Sequence, residues 1–254
     1  MKIICFTTGK KAEYGILNGK VIQGATGTPY RQLKHSNSHY NLNEVKLLPP
    51  CTPSKIVALG LNYYSHAKEF KSPIPPEPLL FMKPSTSVIG PEDNIVYPGS
   101  SERVDYEAEL GVVIKTRAYR VPVERALDYV LGYTCFNDVT ARDLQKKDGQ
   151  WTRAKGFDTF SVIGPCVETE LDPGNANLEA YLNGELKQRG TTSDLIFPIP
   201  ELVSFISHIM TLLPGDVIAT GTPSGIGPMY PGDTVEIKIE GIGTLRNYVV
   251  KNGE

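Results

Sequence analysis

The residues with the clearest chemical potential lie in Arg103-Val-Asp105-Tyr-Glu107-Ala-Glu109-Leu-Gly-Val-Val-Ile-Lys115. The period of two of a β-strand places Asp105, Glu107 and Glu109 on one face. Like charges side by side on a sheet face repel, so such a row needs water, a basic neighbour or a cation over it. A hard divalent metal with oxygen ligands is one solution, and a solvated acidic face is the other. A fourth carboxylate, Asp138, follows the apolar run Tyr133-Thr-Cys-Phe136, at the mouth of an expected buried strand, where ligands are commonly presented. It is equally suited to capping the next turn or helix. Glu107, Glu109 and Asp138 together would form an all-carboxylate site that favours Mg²⁺ or Mn²⁺ over zinc.

A base is available upstream. In Gly60-Leu-Asn62-Tyr-Tyr-Ser-His66-Ala-Lys-Glu69, Asn62 is placed to cap a short helix that sets His66 and Glu69 three residues apart on one face. A carboxylate beside an imidazole orients it and raises its basicity, which suits activation of water. Taken alone, the pair also reads as an ordinary surface contact. His35 and His39 share helical spacing but sit in a Ser/Asn-rich stretch and carry no site. Gly221-Thr-Pro-Ser-Gly225-Ile-Gly227 reads as a turn, in which Thr222 can offer its hydroxyl and N–H to a carboxylate.

The elements that must hold these residues are mostly strands. Strand patterns cover Ile56 to Leu59, Val104 to Ile114, Tyr133 to Phe136, Ser161 to Val167, Val217 to Ala219 and Thr234 to Ile239. Asn-Gly pairs at Asn18-Gly19 and Asn183-Gly184 predict hairpins with type I′ turns. One helix is expected to begin at Pro200, with Leu202, Phe205, Ile206, Ile209 and Met210 as its apolar stripe and Glu201, Ser204, His208 and Thr211 opposite. The pattern predicts a predominantly antiparallel β protein with a few helices, and no doubly wound βαβ sheet. Pro49-Pro50-Cys-Thr-Pro53 reads as a linker, which divides the chain into a small N-terminal β domain, residues 1–50, and a larger domain, residues 51–254.

Composition narrows the partners. With 254 residues, 40% hydrophobic and 21% charged, the chain can bury a sizeable core, and no apolar run approaches a membrane span. Met1 to Phe6 is too short for a secretory signal, so a cytoplasmic location is expected. A formal net charge of −2 without a Lys/Arg cluster gives no footprint for nucleic acid or an anionic membrane, which leaves a small molecule as the expected partner. Cys5, Cys51, Cys135 and Cys166 are too scattered for a zinc site or a disulfide framework, and read as reduced thiols. No dinucleotide fingerprint, Walker loop, Gly-x-Ser-x-Gly elbow or His-Glu-x-x-His is present.

From about residue 51 onward the chain resembles the fumarylacetoacetate hydrolase family. The likeness rests on six blocks in order: Gly60 to Glu69, Phe81-Met-Lys83-Pro-Ser-Thr-Ser, Asp105-Tyr-Glu107-Ala-Glu109-Leu, Asn137-Asp138-Val-Thr-Ala-Arg142-Asp-Leu-Gln145, Trp151-Thr-Arg-Ala-Lys155-Gly-Phe-Asp and Pro214-Gly-Asp-Val-Ile-Ala-Thr220-Gly221-Thr222-Pro. The resemblance implies a mainly β fold with some α, a mixed β-roll or sandwich catalytic domain behind a small N-terminal β domain, and a homodimer. It implies Mg²⁺ or Mn²⁺ on Glu107, Glu109 and Asp138, and a catalytic dyad of His66 and Glu69 on a segment that closes over substrate. Lys155 would stand beside the metal, while Lys83, Arg142, Gln145 and Thr222 would hold substrate. The implied chemistry runs through a metal-bound enolate of a small 2-oxo acid. Acylpyruvate hydrolysis or oxaloacetate-type decarboxylation is favoured narrowly over isomerisation of the 2-hydroxyhepta-2,4-diene-1,7-dioate type. A metal-dependent dicarboxylate-binding protein with little turnover is the expectation from a different class.

Overall fold

A computed structural model describes residues 1–253. The first strands are β1 (Lys2–Thr7), β2 (Ala12–Asn18), β3 (Val21–Thr28), β4 (Gln32–Asn41) and β5 (Lys46–Leu48). Then come β6 (Ile56–Leu59), α1 (Tyr64–Glu69), β7 (Leu80–Lys83), β8 (Val88–Ile89), β9 (Asn94–Tyr97), β10 (Val104–Tyr106) and β11 (Ala108–Ile114). The middle of the chain forms β12 (Val130–Asp138), β13 (Thr140–Ala141), α2 (Arg142–Asp148), α3 (Thr152–Lys155), β14 (Ser161–Glu168), β15 (Asn177–Leu182) and β16 (Glu185–Thr191). It closes with α4 (Ile199–Ile209), β17 (Val217–Ala219), β18 (Gly227–Met229), β19 (Thr234–Ile239) and β20 (Gly243–Lys251).

Three sheets result. The largest has 12 strands and runs β4-β3-β2-β1-β14-β12-β11-β17-β6-β7, with β5 on β1 and β8 on β14. A five-stranded sheet, β16-β15-β19-β20-β9, packs against its centre, and a small one joins β13, β10 and β18. Pairing is mostly antiparallel, with parallel ladders at β17/β6, β14/β8 and β20/β9. The expected mainly β class with some α is what is found.

Hydrophobic layering explains the centre. Leu110, Val112, Cys135 and Val162 of the large sheet meet Ala180, Ile237 and Leu245 of the five-stranded one. Val113, Phe136, Ile163 and Ala219 fill the opposite face beneath Tyr14, Tyr30 and Leu33. Covered on both sides, β11 is buried at every position, which is why it reads as an unbroken apolar run after Glu109.

Several local expectations change. The Asn183-Gly184 turn has positive φ at both residues, as type I′ requires, whereas the first hairpin turns on Gly19-Lys20 with positive φ at Gly19 alone. The 104–114 segment is two strands in two sheets, broken at Glu107. Helix α4 starts one residue before Pro200, and its buried side is Ile199, Leu202, Val203 and Ile206, while Ile209 is exposed. Ser204 and Ser207 turn inward because their hydroxyls bond the backbone of Val121. Asn62 does not cap α1: it binds the N–H and carbonyl of Phe197 and the carbonyl of Thr220, stitching three segments together.

The 51–55 segment enters the large sheet under the control of one carboxylate. Asp216, fully buried, accepts from the N–H groups of Ser54, Lys55 and Leu213, from the Ser54 hydroxyl and from the Lys55 ammonium at 2.5 Å. Removing it leaves buried donors unanswered. Asp216→Ala is therefore expected to cost about 3–5 kcal/mol of unfolding free energy, read by urea denaturation. A loss below about 1 kcal/mol would show that water replaces these contacts.

Candidate active site

The antiparallel register of β11 and β12 pairs Ala108 with Asn137. That register puts Glu107 and Glu109, on either side of Ala108, next to Asp138, and one oxygen from each of the three lies within 4.8 Å of the others. All three residues are buried. The strand break at Glu107 is held by side-chain amides: Asn137 Oδ1 accepts from Glu107 N–H at 3.0 Å, and Gln188 Oε1 accepts from Ala108 N–H at 2.9 Å.

Cations surround two of the carboxylates. Lys155 donates to Glu107 Oε2 at 2.9 Å and to Asp138 Oδ2 at 2.5 Å, with its ammonium 5.0 Å from the Phe81 ring centroid. Arg142 bonds the other oxygen of Glu107 through Nη2, Asp105 through Nε at 2.9 Å and Gln145 Oε1 through Nη1 at 2.7 Å. Lys83, fully buried, bonds Asp138 and the carbonyls of Val139 and Phe160. Burial works against ionisation of Glu107, but Lys155 and Arg142 overcome it and hold the carboxyl down at about 2. For Glu109 burial comes first, and the neighbouring charges of Asp138 and Glu107 add to it, so its carboxyl is pushed well above the ordinary value. Burial pulls the Lys83 ammonium down despite Asp138, whereas Asp138 and Glu107 outweigh burial at Lys155 and push it up.

Glu109 is the exception in this network. Its Oε2 accepts from Gly221 N–H at 2.9 Å, and its Oε1 is buried with no partner among the described residues. An orphaned carboxylate oxygen, converging with two further carboxylates in an all-oxygen donor set, fits a hard divalent cation.

Beside the triad opens a cleft of about 260 Å³ whose walls include His66, Phe81, Arg142, Gln145, Trp151 and Lys155, with Glu107 at its base. His66 Nδ1 lies 3.1 Å from Glu69 Oε2, its ring packs edge-on against Phe70, and Glu69 Oε1 accepts from Gly225 N–H at 3.1 Å. No hydrogen bond engages His66 Nε2 among the described residues. The structure thus brings His66, Glu69, Arg142, Gln145, Lys155 and the three carboxylates together. Two of the expected substrate contacts are buried and engaged within the protein. Lys83 lies behind Asp138 with all three of its protons engaged, because burial demands partners for each. Thr222 is buried at the edge of the site, where its Oγ1 accepts from Gln188 Nε2 at 2.9 Å. Asp105 stays outside the triad, since Arg103 and Arg142 take up both its oxygens. Gln188 belongs to no motif and is missed by pattern reading; the one signal is a buried-side Gln two residues after an apolar Leu186 in a hairpin strand.

Opposite charge balances at neighbouring carboxylates give opposite expectations. Held near 2 against an ordinary 4.5, Glu107 contributes stability above the unfolded value, which is lost as pH falls through about 2. Glu109 is raised, so the metal-free protein loses stability as pH climbs from 4.5 toward the raised value. In chelator, Glu109→Gln is expected to raise the melting temperature by about 2–6 °C, and Glu107→Gln, which strands Lys155 and Arg142, to lower it by at least as much. Thermal melts that shift both variants in the same direction would sink this account.

Comparison with known proteins follows the same lines. Residues 55–250 match the family model described as fumarylacetoacetate (FAA) hydrolase C-terminal, and residues 1–50 match the one described as Rv2993c-like, N-terminal. The mitochondrial oxaloacetate tautomerase FAHD2B of Bos taurus is 41% identical over 221 residues, 82% of this chain and 70% of that one. A 2-hydroxyhepta-2,4-diene-1,7-dioate isomerase from Mycobacterium marinum superposes with a TM-score of 0.93 at 40% identity, over 100% of both chains. A maleylpyruvate hydrolase from Sphingobium sp. SYK-6, solved with manganese(II) and pyruvate, gives 0.84 at 29% identity over 99% of this chain and 100% of that one. With that family model spanning residues 55–250 and relatives at 40–41% identity over most of its length, the chain belongs to the fumarylacetoacetate hydrolase family.

Proposed function

We propose that this protein is a divalent-metal-dependent enzyme that cleaves a carbon–carbon bond in small 2-oxo acids, by acylpyruvate hydrolysis or oxaloacetate-type decarboxylation. The observation that carries the proposal is an oriented imidazole lining the same cleft as Glu107, one member of the carboxylate triad. Glu107, Glu109 and Asp138 are assigned to hold Mg²⁺ or Mn²⁺, the hard cations that an all-carboxylate set prefers. When bound, the cation would supply Lewis acidity that draws electrons toward the substrate's oxo group.

The side chains account for the remaining steps. Three of the five N–H donors of Arg142 are engaged within the protein, which leaves two for a carboxylate, and the Gln145 amide nitrogen adds two more. Lys155 keeps one proton beyond its two ion pairs for a substrate oxygen that gains charge. Phe81 and Trp151 wall the cleft with apolar surface, which strengthens these contacts. Glu69 fixes the His66 ring through Nδ1, so Nε2 takes a proton from water as that water attacks the acyl carbonyl beyond C3. The electron pair of the breaking bond moves to C3 and the oxo group, and the proton held on Nε2 is returned to C3. Where C3 carries a carboxylate, carbon dioxide leaves with no water attack, the bonding pair passes to C3 and the oxo group, and C3 takes a proton from solvent by way of His66.

A second reading rests on an observation of its own: relatives at 40–41% identity are named for isomerisation and tautomerisation. The same imidazole would then move a proton between positions of one substrate, breaking one bond to hydrogen and forming another, with no carbon–carbon bond broken.

The test is steady-state turnover of acetylpyruvate, fumarylpyruvate, oxaloacetate and a hydroxymuconate-type dienoate by chelator-treated protein, with and without Mg²⁺ or Mn²⁺. Metal-restored cleavage is expected, with His66→Ala lowering kcat by about 100-fold or more and leaving KM little changed. Metal-restored rearrangement without cleavage selects the second reading. Full activity of His66→Ala, or of the chelated protein, would refute the proposed machinery.

A further inference from the structure

Gln188 is a polar residue in a place where the strand should present an apolar one. In β16 a regular alternation would put Leu186 and Gln188 on the same face, yet Leu186 is 42% exposed and Gln188 1% exposed. The cause is a bulge: Ala180 pairs with Gln188 but the next residue, Tyr181, pairs with Leu186, so Lys187 is the extra residue. The bulge turns a leucine out and an amide in, a choice that opposes burial on both counts and marks a position kept for another purpose.

The amide has complete, directional bonding. Its Oε1 accepts from the N–H of Ala108, between Glu107 and Glu109, at 2.9 Å. That bond fixes which end of the amide is which, so Nε2 donates to Thr222 Oγ1 and to the carbonyl of Pro223, each at 2.9 Å. The 221–225 loop is seated tightly on β16: a Cβ at Gly190 would come 2.7 Å from Pro223, and one at Gly225 would come 2.4 Å from the Lys187 carbonyl. Having accepted from Gln188, the Thr222 hydroxyl retains its proton, and among the described residues that proton has no acceptor.

We infer that Gln188 is a positioning residue that ties the Glu107–Glu109 strand to the 221–225 loop and fixes Thr222 as a hydrogen-bond donor to the carboxylate of a bound 2-oxo acid. The inference rests on the reading given under Proposed function, and it deepens it by assigning a fixed donor direction at the site. A purely structural amide would hold the loop without regard to what Thr222 donates to.

The experiment measures oxalate, a stand-in for the 2-oxo carboxylate, binding to Mn²⁺-loaded protein by calorimetry, with Mn²⁺ affinity and melting temperature measured separately. Thr222→Val and Gln188→Met are each expected to weaken oxalate by about tenfold. Mn²⁺ affinity should change less than about twofold in Thr222→Val, and in Gln188→Met, which frees the Ala108 N–H between two of the carboxylates, it should fall by less than oxalate affinity does. The double variant should be no weaker than Thr222→Val alone, and Thr222→Ser, which keeps the hydroxyl, should bind like the unmodified protein. Should Gln188→Met fail to fold, the valine and serine variants at Thr222 still decide, because oxalate affinity unaffected by Thr222→Val overturns the inference. Additive losses in the double variant, or loss of Mn²⁺ affinity in step with oxalate, would also overturn it. Unmodified protein that binds Mn²⁺ but no oxalate would bring down the 2-oxo acid reading itself.

Discussion

Three carboxylates within 4.8 Å of one another, away from water, are the constraint around which the rest is arranged. Two charges at that separation repel by about 3–4 kcal/mol even at an effective dielectric of 20. The protein answers this unevenly. Lys83, Lys155 and Arg142 converge on Asp138 and Glu107, and none of them reaches Glu109. Part of the charge is thereby neutralised by the fold and part is left for something else to neutralise, and the division falls between Glu107 and Glu109, on either side of Ala108.

Holding that arrangement depends on the 220–225 segment more than on any helix. Gly221 N–H meets Glu109, Thr222 and Pro223 meet Gln188, Gly225 N–H meets Glu69, and the Thr220 carbonyl meets Asn62. One short loop therefore touches the carboxylate triad, the histidine's partner and the segment leading into α1. Its glycine at 221 is needed there, since φ is +96° and a Cβ would lie 2.9 Å from that of Asn62.

Much of this could be read from sequence, and the failures share a cause. Alternation and apolar runs located β6, β14, β17 and β19 within a residue or so, because those strands lie in the middle of sheets where burial dictates residue type. The spacing of Glu107 and Glu109 about Ala108 survives in the structure, because a period of two needs only those three residues to be extended. Asp105 was out of reach: whether it joins the row depends on the break at Glu107, which is made by amides from Asn137 and Gln188, 30 and 80 residues away. Lys83 likewise carries no local sign that it lies behind Asp138 and not before it. The bulge at Lys187 shifts the parity of β16, so pattern reading assigns Leu186 and Gln188 the same side. In each case the deciding contact is tertiary, and at the site the local rules are broken deliberately.

The large sheet joins its two ends through a narrow seam. Between β1 and β14 only Lys2 and Ile3 pair, with Glu168 and Val167, and no residue before Gly60 reaches the wall of the cleft. Ile4 and Phe6 belong to the common core, so the first strands are bound to the whole by packing. The two sides of the seam thus stand at different distances from the chemistry. Every residue lining the cleft lies beyond it. A substitution in the first strands reaches the site by way of that two-residue ladder and of shared packing such as that of Ile4 and Phe6.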